Sequence, residues 1–480
     1  MTSYSLDLGR AGVEKLGHRA VDFVADYLDG LSGEPTLYDT DTSALVTRLL
    51  DAPPERPGDL EELLTTIGEA AASGMNTASP GYLAYFPAGG LTSSAFGELI
   101  AESLNRYTAF AALAPGLVAI EQSVLRWLCG AFALPAGSGG LVLTGGSMAT
   151  LPAIVAARDS RVAGEVSRGV VYVSEHTHHC IAKAAHIAGL TRAQIRILPS
   201  SADFRTDVAA VARQIQQDRR AGLLPFLLVA TAGATSTGLV DPLEELGALA
   251  RREGLWFHVD GAYGAPYQLT DRGRQLLRGI EAADSIVLDP HKSMFLPYGT
   301  GILLVRDEQA LRAAHTADAD YLQDIGQAGG LPDYAHLGPE LTRESRGMRL
   351  WLPLHLHGVA AFREALNEKL DLTRWIHREL VSEPALELPW APDLTVIGFR
   401  LRGDGAAAAE ANRLLLERIN ASRRVCLSTT RVAGRYTLRL CLQSVRSHAE
   451  QAAEAVDLIR AAVHDLAASS GGRRTTTSAT

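Results

Sequence analysis

Seven short apolar runs between residues 140 and 305 constrain the fold of this chain more than any other feature. Most are separated by longer stretches with helical apolar spacing, such as Met148 to Arg158 and Pro242 to Arg252. Strands that are apolar throughout and alternate with helices indicate a mostly parallel sheet covered on both faces. The runs are GLVLT (140–144), VVYVS (170–174), IRILP (195–199), FLLVAT (226–231), LWFHVD (255–260), SIVLD (285–289) and GILLV (301–305). Ligands bind beyond the carboxyl ends of the strands in such sheets, so chemistry is expected there.

The segments before and just after this α/β pattern have a different composition. Residues 8–31 have the apolar spacing of an amphipathic helix, and a proline-rich break follows at residues 51–59. Residues 312–345 are polar and contain Gly and Pro. A stretch of this length in a compact domain indicates either a mobile lid or a plain surface excursion.

The C-terminal part has the pattern of a smaller unit. A strongly helical stretch begins near residue 348, and strand-like runs follow at residues 395–401 and 436–442. A helix is predicted from His448 to about Ala467. The low complexity of residues 468–480 is typical of a disordered tail.

Length, charge and cysteine usage narrow the class of protein. A chain of 480 residues exceeds the roughly 250–300 residues of a single core, so two or three domains are expected. The net charge of -9 and the lack of a basic stripe argue against nucleic acid as a partner. The four cysteines show no metal or disulfide spacing, and neither a signal peptide nor an apolar run of about 18 residues is visible. We therefore expect a cytoplasmic protein that is not in the membrane.

Glycines and hydroxyl residues follow two of the predicted strands. The stretch 144–147, TGGS, lies just before a helical pattern that begins at Met148. Backbone N–H groups at such a helix start form an anion site suited to a phosphate. The alternative is a tight turn with Ser147 as a plain N-cap. The stretch 233–238, GATSTG, could contact a ligand or equally satisfy its own turn.

A carboxylate and a lysine follow the next two strands. Asp260 ends a buried strand, where its desolvation has to be offset by a cation or a donor. Lys292 lies between two apolar stretches, and partial burial favours its neutral amine. Pyridoxal phosphate needs a phosphate site, a carboxylate for its pyridine nitrogen and a lysine amine, so this cofactor accounts for all three features.

Three histidines, His176, His178 and His179, follow the second apolar run. With Asp260 two of them could bind a metal ion, but the spacing matches no metal-site template, and no metal is predicted. They could also mark the start of a surface helix. A third use is an imidazole stacked over a flat cofactor ring.

Four motifs together resemble the group II pyridoxal-phosphate decarboxylases, and in particular aromatic-L-amino-acid decarboxylases of a bacterial, specialised-metabolism branch. The motifs are DPHK (289–292), HVDGAYG (258–264), TGGSMATL (144–151) and YLAYFP (82–87). The resemblance covers roughly residues 8 to 465 in the same order. It implies an α/β protein of fold type I, with a mostly parallel seven-stranded sheet. It also implies a homodimer with active sites at the subunit interface.

The resemblance also implies a division of the chain. An N-terminal helical segment, residues 1–75, would be swapped between the subunits of the dimer. The large cofactor domain would span residues 76–350, with a mobile loop at about 312–345. A small C-terminal α+β domain would follow at residues 351–467, and the tail at 468–480.

Carried over residue by residue, the resemblance assigns the cofactor site. Lys292 would form the internal aldimine and Asp260 would pair with the pyridine nitrogen. Ala262 would lie against the ring, and His178 would stack over it. Positions on the phosphate side or next to the lysine are matched by Gly146, Ser147, Thr235 and His291.

The same resemblance assigns the substrate side. Tyr85, Phe86 and Pro87 match the substrate-pocket segment, Tyr321 matches the tyrosine of the mobile loop, and Arg346 matches an arginine just past it. The implied catalytic residues are those that would touch the cofactor or deliver protons, namely Lys292, His178, Asp260 and Tyr321.

The implied activity is decarboxylation of an L-amino acid, aromatic or related, to the amine and CO2 through an external aldimine and a quinonoid. Tyr321 would return a proton to Cα, with help from His178. Relatives with Phe at that loop position tend to release an aldehyde, so Tyr321 favours the amine. Ser293 stands where aromatic decarboxylases often carry Trp, and we interpret it as a sign that the substrate differs.

Two alternatives use the chain differently. One keeps the cofactor but ends in oxidative deamination to an aldehyde, or in β-elimination that breaks a carbon–sulfur bond of a cysteine-type substrate. The other is a subunit that binds the cofactor without catalysis. The joint presence of Lys292, Asp260, His178 and Tyr321 argues against this last alternative.

Overall fold

The N-terminal part of the chain is helical. The computed structural model describes residues 6–86, 88–316 and 328–472, and no helix within these ranges is long and apolar enough to cross a membrane. The helix predicted at residues 8–31 is confirmed, although none of its residues is buried. The N-terminal helices are α1 (Arg10–Gly30), α2 (Ser43–Leu49) and α3 (Leu60–Ala71).

A seven-stranded sheet forms the centre of the large domain, as the apolar runs predict. Its order is β1-β7-β6-β5-β4-β2-β3, and all neighbours are parallel except β7, which is antiparallel to both β1 and β6. Five of the strands are buried at every residue, which explains their apolar sequences. The strands are β1 (Gly139–Leu143), β2 (Gly169–Ser174), β3 (Ile195–Leu198), β4 (Leu224–Thr231), β5 (Trp256–Asp260), β6 (Ser285–Leu288) and β7 (Gly301–Val305).

Helices cover both faces of this sheet. The long helix that follows β1 packs against β4 to β7, and its small and branched residues are buried there. The helices of the large domain are α4 (Thr92–Leu104), α5 (Pro115–Ala131), α6 (Gly146–Val162), α7 (Cys180–Ile187), α8 (Val208–Arg220), α9 (Leu243–Glu253), α10 (Asp271–Leu276), α11 (Pro290–Ser293) and α12 (Glu308–His315).

The C-terminal unit is an antiparallel sheet of order β10-β11-β9-β8 with helices packed on it. It consists of the C-terminal part of α13 (Met348–Val381) together with β8 (Leu386–Glu387), β9 (Val396–Leu401), α14 (Gly405–Asn420), β10 (Ser428–Val432), β11 (Arg435–Cys441) and α15 (Ala449–Gly472). Helix α13 is broken at Gly358, where φ is +75°. Residues of α13 as far as Leu370 pack into the core of the large domain, whereas Ile376 and Leu380 belong to the second core. By packing, the small domain therefore begins inside α13, later than the predicted boundary at residue 351.

The range predicted for the mobile loop, about residues 312–345, includes segments at both ends that are helical or packed in the structure. Helix α12 continues to His315, and the segment from 328 onward is packed, with Tyr334 and Leu337 fully buried. This polar stretch is fixed by contacts with residues far away in the chain. For example, the guanidinium of Arg343 donates a hydrogen bond to Glu121 at 2.7 Å. Residues 317–327, including Tyr321, lie outside the described residues. Helix α15 continues past the boundary predicted at 467, and residues 473–480 also lie outside the described residues.

Candidate active site

A cavity of about 300 Å³ opens where the carboxyl ends of the central strands meet. This is the position that the topology of a parallel sheet predicts for a ligand. Nine of the residues predicted for the site line it together, which are Phe86, Gly146, Ser147, His178, Thr235, Asp260, Ala262, His291 and Lys292. The structure therefore gathers one cavity from segments that are far apart in the sequence.

The N-terminus of α6 lies at one side of the cavity. The N-cap is Gly145, which has no side chain to satisfy the first N–H groups of the helix. Ser147 lies inside the helix, so its alternative interpretation as a plain N-cap is wrong. A Cβ on Gly146 would lie 2.9 Å from Oδ2 of Asp289, and this close contact explains the glycine. The N–H groups and the Ser147 hydroxyl are donors that suit an anion.

Asp260 ends β5 and provides the buried carboxylate of the cavity. Its side chain lines the cavity although the residue is only 6% exposed. Its Oδ1 accepts a hydrogen bond from the N–H of Ala262 at 3.2 Å. One weak backbone bond offsets little of the desolvation of a carboxylate, so a protonated ring nitrogen is a suitable partner for Asp260.

Lys292 lies on the short helix α11 and pairs with the carboxylate of Asp289, a contact that was not predicted from the sequence. Its Nζ is 3.0 Å from Oδ2 of Asp289, which is 2% exposed. Burial lowers the pKa of Lys292, but the carboxylates of Asp289 and Asp260 outweigh this effect and raise the pKa above its usual value. The prediction that burial keeps this amine neutral is therefore wrong for this arrangement.

His178 borders the cavity as a neutral imidazole. Burial lowers its pKa, and the neighbouring His179 and Lys292 lower it further against the pull of Asp260. Nδ1 accepts the N–H of Cys180 at 3.3 Å, so the ring proton of the neutral form is on Nε2. A flat ring of this kind can stack on a flat cofactor, and its Nε2–H remains available as a donor.

The other two histidines of the segment are arranged differently. The ring of His179 lies 4.1 Å from that of His178 and is exposed, whereas the ring of His176 meets Phe204 edge-on at 6.3 Å. Among the residues that the structure describes, no group of three or more His, Cys, Asp or Glu could hold a metal ion.

Two further predicted residues, His291 and Thr235, belong to segments that are held by contacts to the backbone. His291 places Nδ1 2.6 Å from the carbonyl oxygen of Thr300, and its Nε2 is 3.7 Å from Asp289. The carbonyl of Thr235 accepts a bond from the guanidinium of Arg439, while Thr235 itself lines the cavity. These contacts fix both segments.

Of the predicted substrate residues that the structure describes, Phe86 lines the cavity, whereas Tyr85 and Arg346 do not. Phe86 lines the cavity, with its ring 4.6 Å from that of Tyr263. Tyr85 is 52% exposed and does not line the cavity. Arg346 is 4% exposed and also lies outside the lining, because Glu340 and Glu344 hold its guanidinium at 2.6 and 2.8 Å. Pro87, like Tyr321, lies outside the described residues.

A buried hydrogen-bond chain beside Lys292 was missed by the sequence analysis. The hydroxyl of Ser293 donates to the carbonyl of Tyr263 and accepts from the amide of Gln443. The hydroxyl of Tyr263 is also 2.7 Å from Oγ1 of Thr395. Ser293 is thus fully buried and does not line the cavity, so its interpretation as a sign of the substrate is not supported.

Comparisons with known proteins agree with this geometry. The model of the pyridoxal-dependent decarboxylase conserved domain matches residues 44–402. An aromatic-L-amino-acid decarboxylase of Bacillus atrophaeus is 30% identical over 97% of this chain and 98% of its own length. A phenylacetaldehyde synthase of Arabidopsis thaliana is 29% identical over 93% of this chain and 95% of its own. The crystal structure of Catharanthus roseus tryptophan decarboxylase with L-tryptophan superposes with a TM-score of 0.89 at 28% identity, covering 96% of this chain and 100% of that one.

Proposed function

The chain belongs to the pyridoxal-dependent decarboxylases, and we propose that it converts an aromatic or related L-amino acid to the amine and CO2. Pyridoxal 5′-phosphate is its cofactor. One observation carries the proposal: the α6 N-terminus, Asp260 and Lys292 all border one cavity of about 300 Å³. These are the three groups that this cofactor requires.

The residues present fit the cofactor. We propose that the N-terminal N–H groups of α6 and the Ser147 hydroxyl hold its phosphate, since no side chain caps this helix. The Asp260 carboxylate, with only a weak backbone donor, would keep a proton on the ring nitrogen. His178 and Ala262 would lie against the ring. When bound, the cofactor supplies a ring that accepts the electron pair left behind by CO2.

Lys292 and Tyr321 would perform the remaining chemistry. Lys292 would hold the cofactor covalently and give way to the substrate amine. A proton then has to reach Cα for the amine to form, and we assign this transfer to Tyr321 from the resemblance of its segment. His178 would act as a stacking ring and Nε2–H donor, because its Nδ1 accepts a backbone N–H.

The aromatic nature of the substrate rests on the pocket wall and on the relatives. Phe86 presents a ring to the cavity beside Tyr263, which suits a planar side chain. Relatives at similar identity act as tryptophan and tyrosine decarboxylases. Because another relative is a phenylacetaldehyde synthase, the product has to be measured as well as the substrate.

We also propose a homodimer. Helix α1 has no buried residue, and its apolar side chains Val13, Leu16 and Val24 are 40–57% exposed. Helix α4 exposes Phe96, Leu99 and Ile100 in the same way. Apolar faces of this extent need a cover, and a second copy of the chain with a swapped N-terminal segment would provide it.

A reducing compartment, the cytoplasm, is the location we propose. The four cysteines, Cys129, Cys180, Cys426 and Cys441, are all free and buried. Proteins in oxidising compartments more often use cysteines in disulfides. Burial also raises the pKa of Cys441 to about 11, so its thiol has little tendency to react at neutral pH.

An assay of products tests the proposed function. The purified protein with added pyridoxal phosphate is incubated with aromatic L-amino acids, and CO2, amine, aldehyde, ammonia and hydrogen peroxide are measured. We expect CO2 and amine in equal amounts. Aldehyde with ammonia and peroxide, or a keto acid without CO2, would reject simple decarboxylation.

Two variants test the residue roles in the same assay. Lys292→Ala should abolish both activity and the visible absorbance of the covalently attached cofactor, whereas Lys183→Ala on the exposed surface of α7 should change neither. Tyr321→Phe should lower the yield of amine and raise that of aldehyde. Unchanged amine formation by Tyr321→Phe would remove this residue from proton transfer.

A further inference from the structure

Asp289 is a buried carboxylate in the lining of the cavity. Its Oδ2 is 3.0 Å from Nζ of Lys292, and its Oδ1 has no hydrogen-bond partner among the described residues. Both oxygens lie against Gly146, where a Cβ would come within 2.9 and 3.1 Å of them. The carboxylate thus occupies a place between the lysine and the first turn of α6.

Lys292 is the cation that offsets this carboxylate. Other titratable groups near Asp289 line the same cavity. They are His291, on the helix that begins just after Asp289, and His178, Cys180 and Asp260, on neighbouring elements. Burial lowers the pKa of both histidines and raises that of the Cys180 thiol to about 12, so these three groups are neutral near pH 7. Among the described residues of the lining, Lys292 is therefore left as the cation between two carboxylates.

A protonated lysine cannot perform the step that the proposed function requires of it. The amine must first lose its proton. Its nitrogen then attacks the aldehyde carbon of the cofactor, a C=N bond forms, the C=O bond breaks, and the oxygen leaves as water. Every group that stabilises the ammonium form therefore lowers the fraction of lysine able to react at a given pH.

We propose that Asp289 is a positioning residue that holds Lys292 as an ammonium and thereby sets the pH range in which Lys292 attaches to the cofactor. The inference rests on the proposed function and adds to it a control of cofactor loading. Without the Asp289 charge, the effect of burial on Lys292 exceeds that of the remaining carboxylate, Asp260. The free amine then becomes a larger fraction of Lys292 at a given pH.

The test compares cofactor-free full-length protein with its Asp289→Asn variant, which keeps the size of the side chain and removes the charge. Each protein is mixed with pyridoxal phosphate, and the initial rate of the rise in visible absorbance is recorded from pH 6 to 9. We expect the Asn variant to load faster at pH 7 by about tenfold, which is the change in free amine for each unit of lysine pKa. Its rate profile should be displaced to lower pH.

Asp284→Asn is the matched control. Asp284 lies just before β6, whereas Asp289 follows the same strand. The carboxylate of Asp284 accepts a hydrogen bond from the N–H of Phe257 at 2.8 Å. It does not line the cavity, so its variant should keep the wild-type rate profile. Asp289→Ser serves in the same way as Asp289→Asn if the latter does not fold.

Three outcomes separate this inference from the proposed function. A wild-type protein that develops no visible absorbance would reject the cofactor itself. A wild-type protein that loads, with variants whose profiles are not displaced, would overturn the role of Asp289 alone. A variant that loads at a different cofactor concentration but keeps the wild-type pH profile would also overturn the inference. Asp289 would then affect the affinity for the cofactor and not the protonation of Lys292.

Discussion

The side-chain amide of Gln443 donates a hydrogen bond to the hydroxyl of Ser293, and both residues are fully buried. Gln443 follows strand β11 of the small domain, whereas Ser293 ends the helix that carries Lys292. The small domain therefore contacts the lysine segment directly. Through Ser293 this contact extends to the carbonyl of Tyr263, close to Asp260.

Ser293→Ala should destabilise the protein without removing a residue of the cavity lining. The change leaves the buried amide of Gln443 without its acceptor, which costs about 1–3 kcal/mol. Urea unfolding measures the loss. Ser123→Ala is the control, because the Ser123 hydroxyl is exposed and bonds only within α5. Equal stabilities of the two variants would show that the buried bond contributes nothing.

Arg346→Met should lower stability rather than substrate affinity. The guanidinium is buried and bonded to Glu340 and Glu344, so its removal leaves two carboxylates unpaired at a cost of about 1–3 kcal/mol. Arg413→Met is a matched control, since Arg413 also pairs with two glutamates but is exposed to solvent, and it should change stability much less than Arg346→Met. A raised KM with unchanged unfolding would instead support the substrate contact that the resemblance implies.

Leu16→Glu should shift the protein from dimer to monomer. The substitution places a charge on the exposed apolar face of α1, which the proposed second copy would cover. Light scattering on the eluting protein should give twice 51.1 kDa for the wild type and a lower mass for the variant. His18→Glu puts the same charge on an exposed position outside the apolar set and should leave the mass unchanged. A wild-type mass of 51.1 kDa would refute the dimer.

Asp218 should make stability depend on pH in the acid range. Burial raises the pKa of this carboxyl, but bonds from Arg196 at 2.7 Å and Tyr172 at 2.9 Å outweigh burial and lower the pKa overall. The folded-state pKa therefore lies below the unfolded one. The contribution of Asp218 is complete above the unfolded pKa and is lost as the pH falls through the folded one.

The measurement for Asp218 is urea unfolding of wild type and Asp218→Asn at pH 7, 5 and about 4. The stability difference between them should shrink as the pH falls. Asp51→Asn, at an exposed position, is the control for removal of a surface carboxylate. A constant difference for Asp218→Asn would mean that its pKa is not lowered by folding.

The sheet and most of the cavity lining were predictable because both follow from local patterns. Strands buried on both faces need apolar residues throughout, and parallel strands place their carboxyl ends together, which brings Asp260 and Lys292 into one region. The Asp289 contact could have been found from its position three residues before Lys292, had the short helix between them been expected.

Other features depend on partners far away in the chain. Gln443 reaches Ser293 only through the packing of two domains. Arg343 is buried within a polar segment because Glu121 neutralises it and Tyr334 stacks on it at 4.3 Å. The polar composition of such a segment resembles that of a loop. The mobile loop predicted from the sequence is therefore longer than the structure supports.

The place of β7 in the sheet has a consequence for biosynthesis. This last strand of the large sheet lies between β1 and β6, and residue 139 pairs with residue 305. The turn after β1 and the segment that ends in Lys292 are thus joined across the sheet by a strand that leaves the ribosome after both. Contacts between distant parts of a chain form slowly. Cofactor uptake therefore follows synthesis of nearly the whole large domain, and until then β1 and β6 carry open edges that a chaperone or a neighbouring nascent chain can reach.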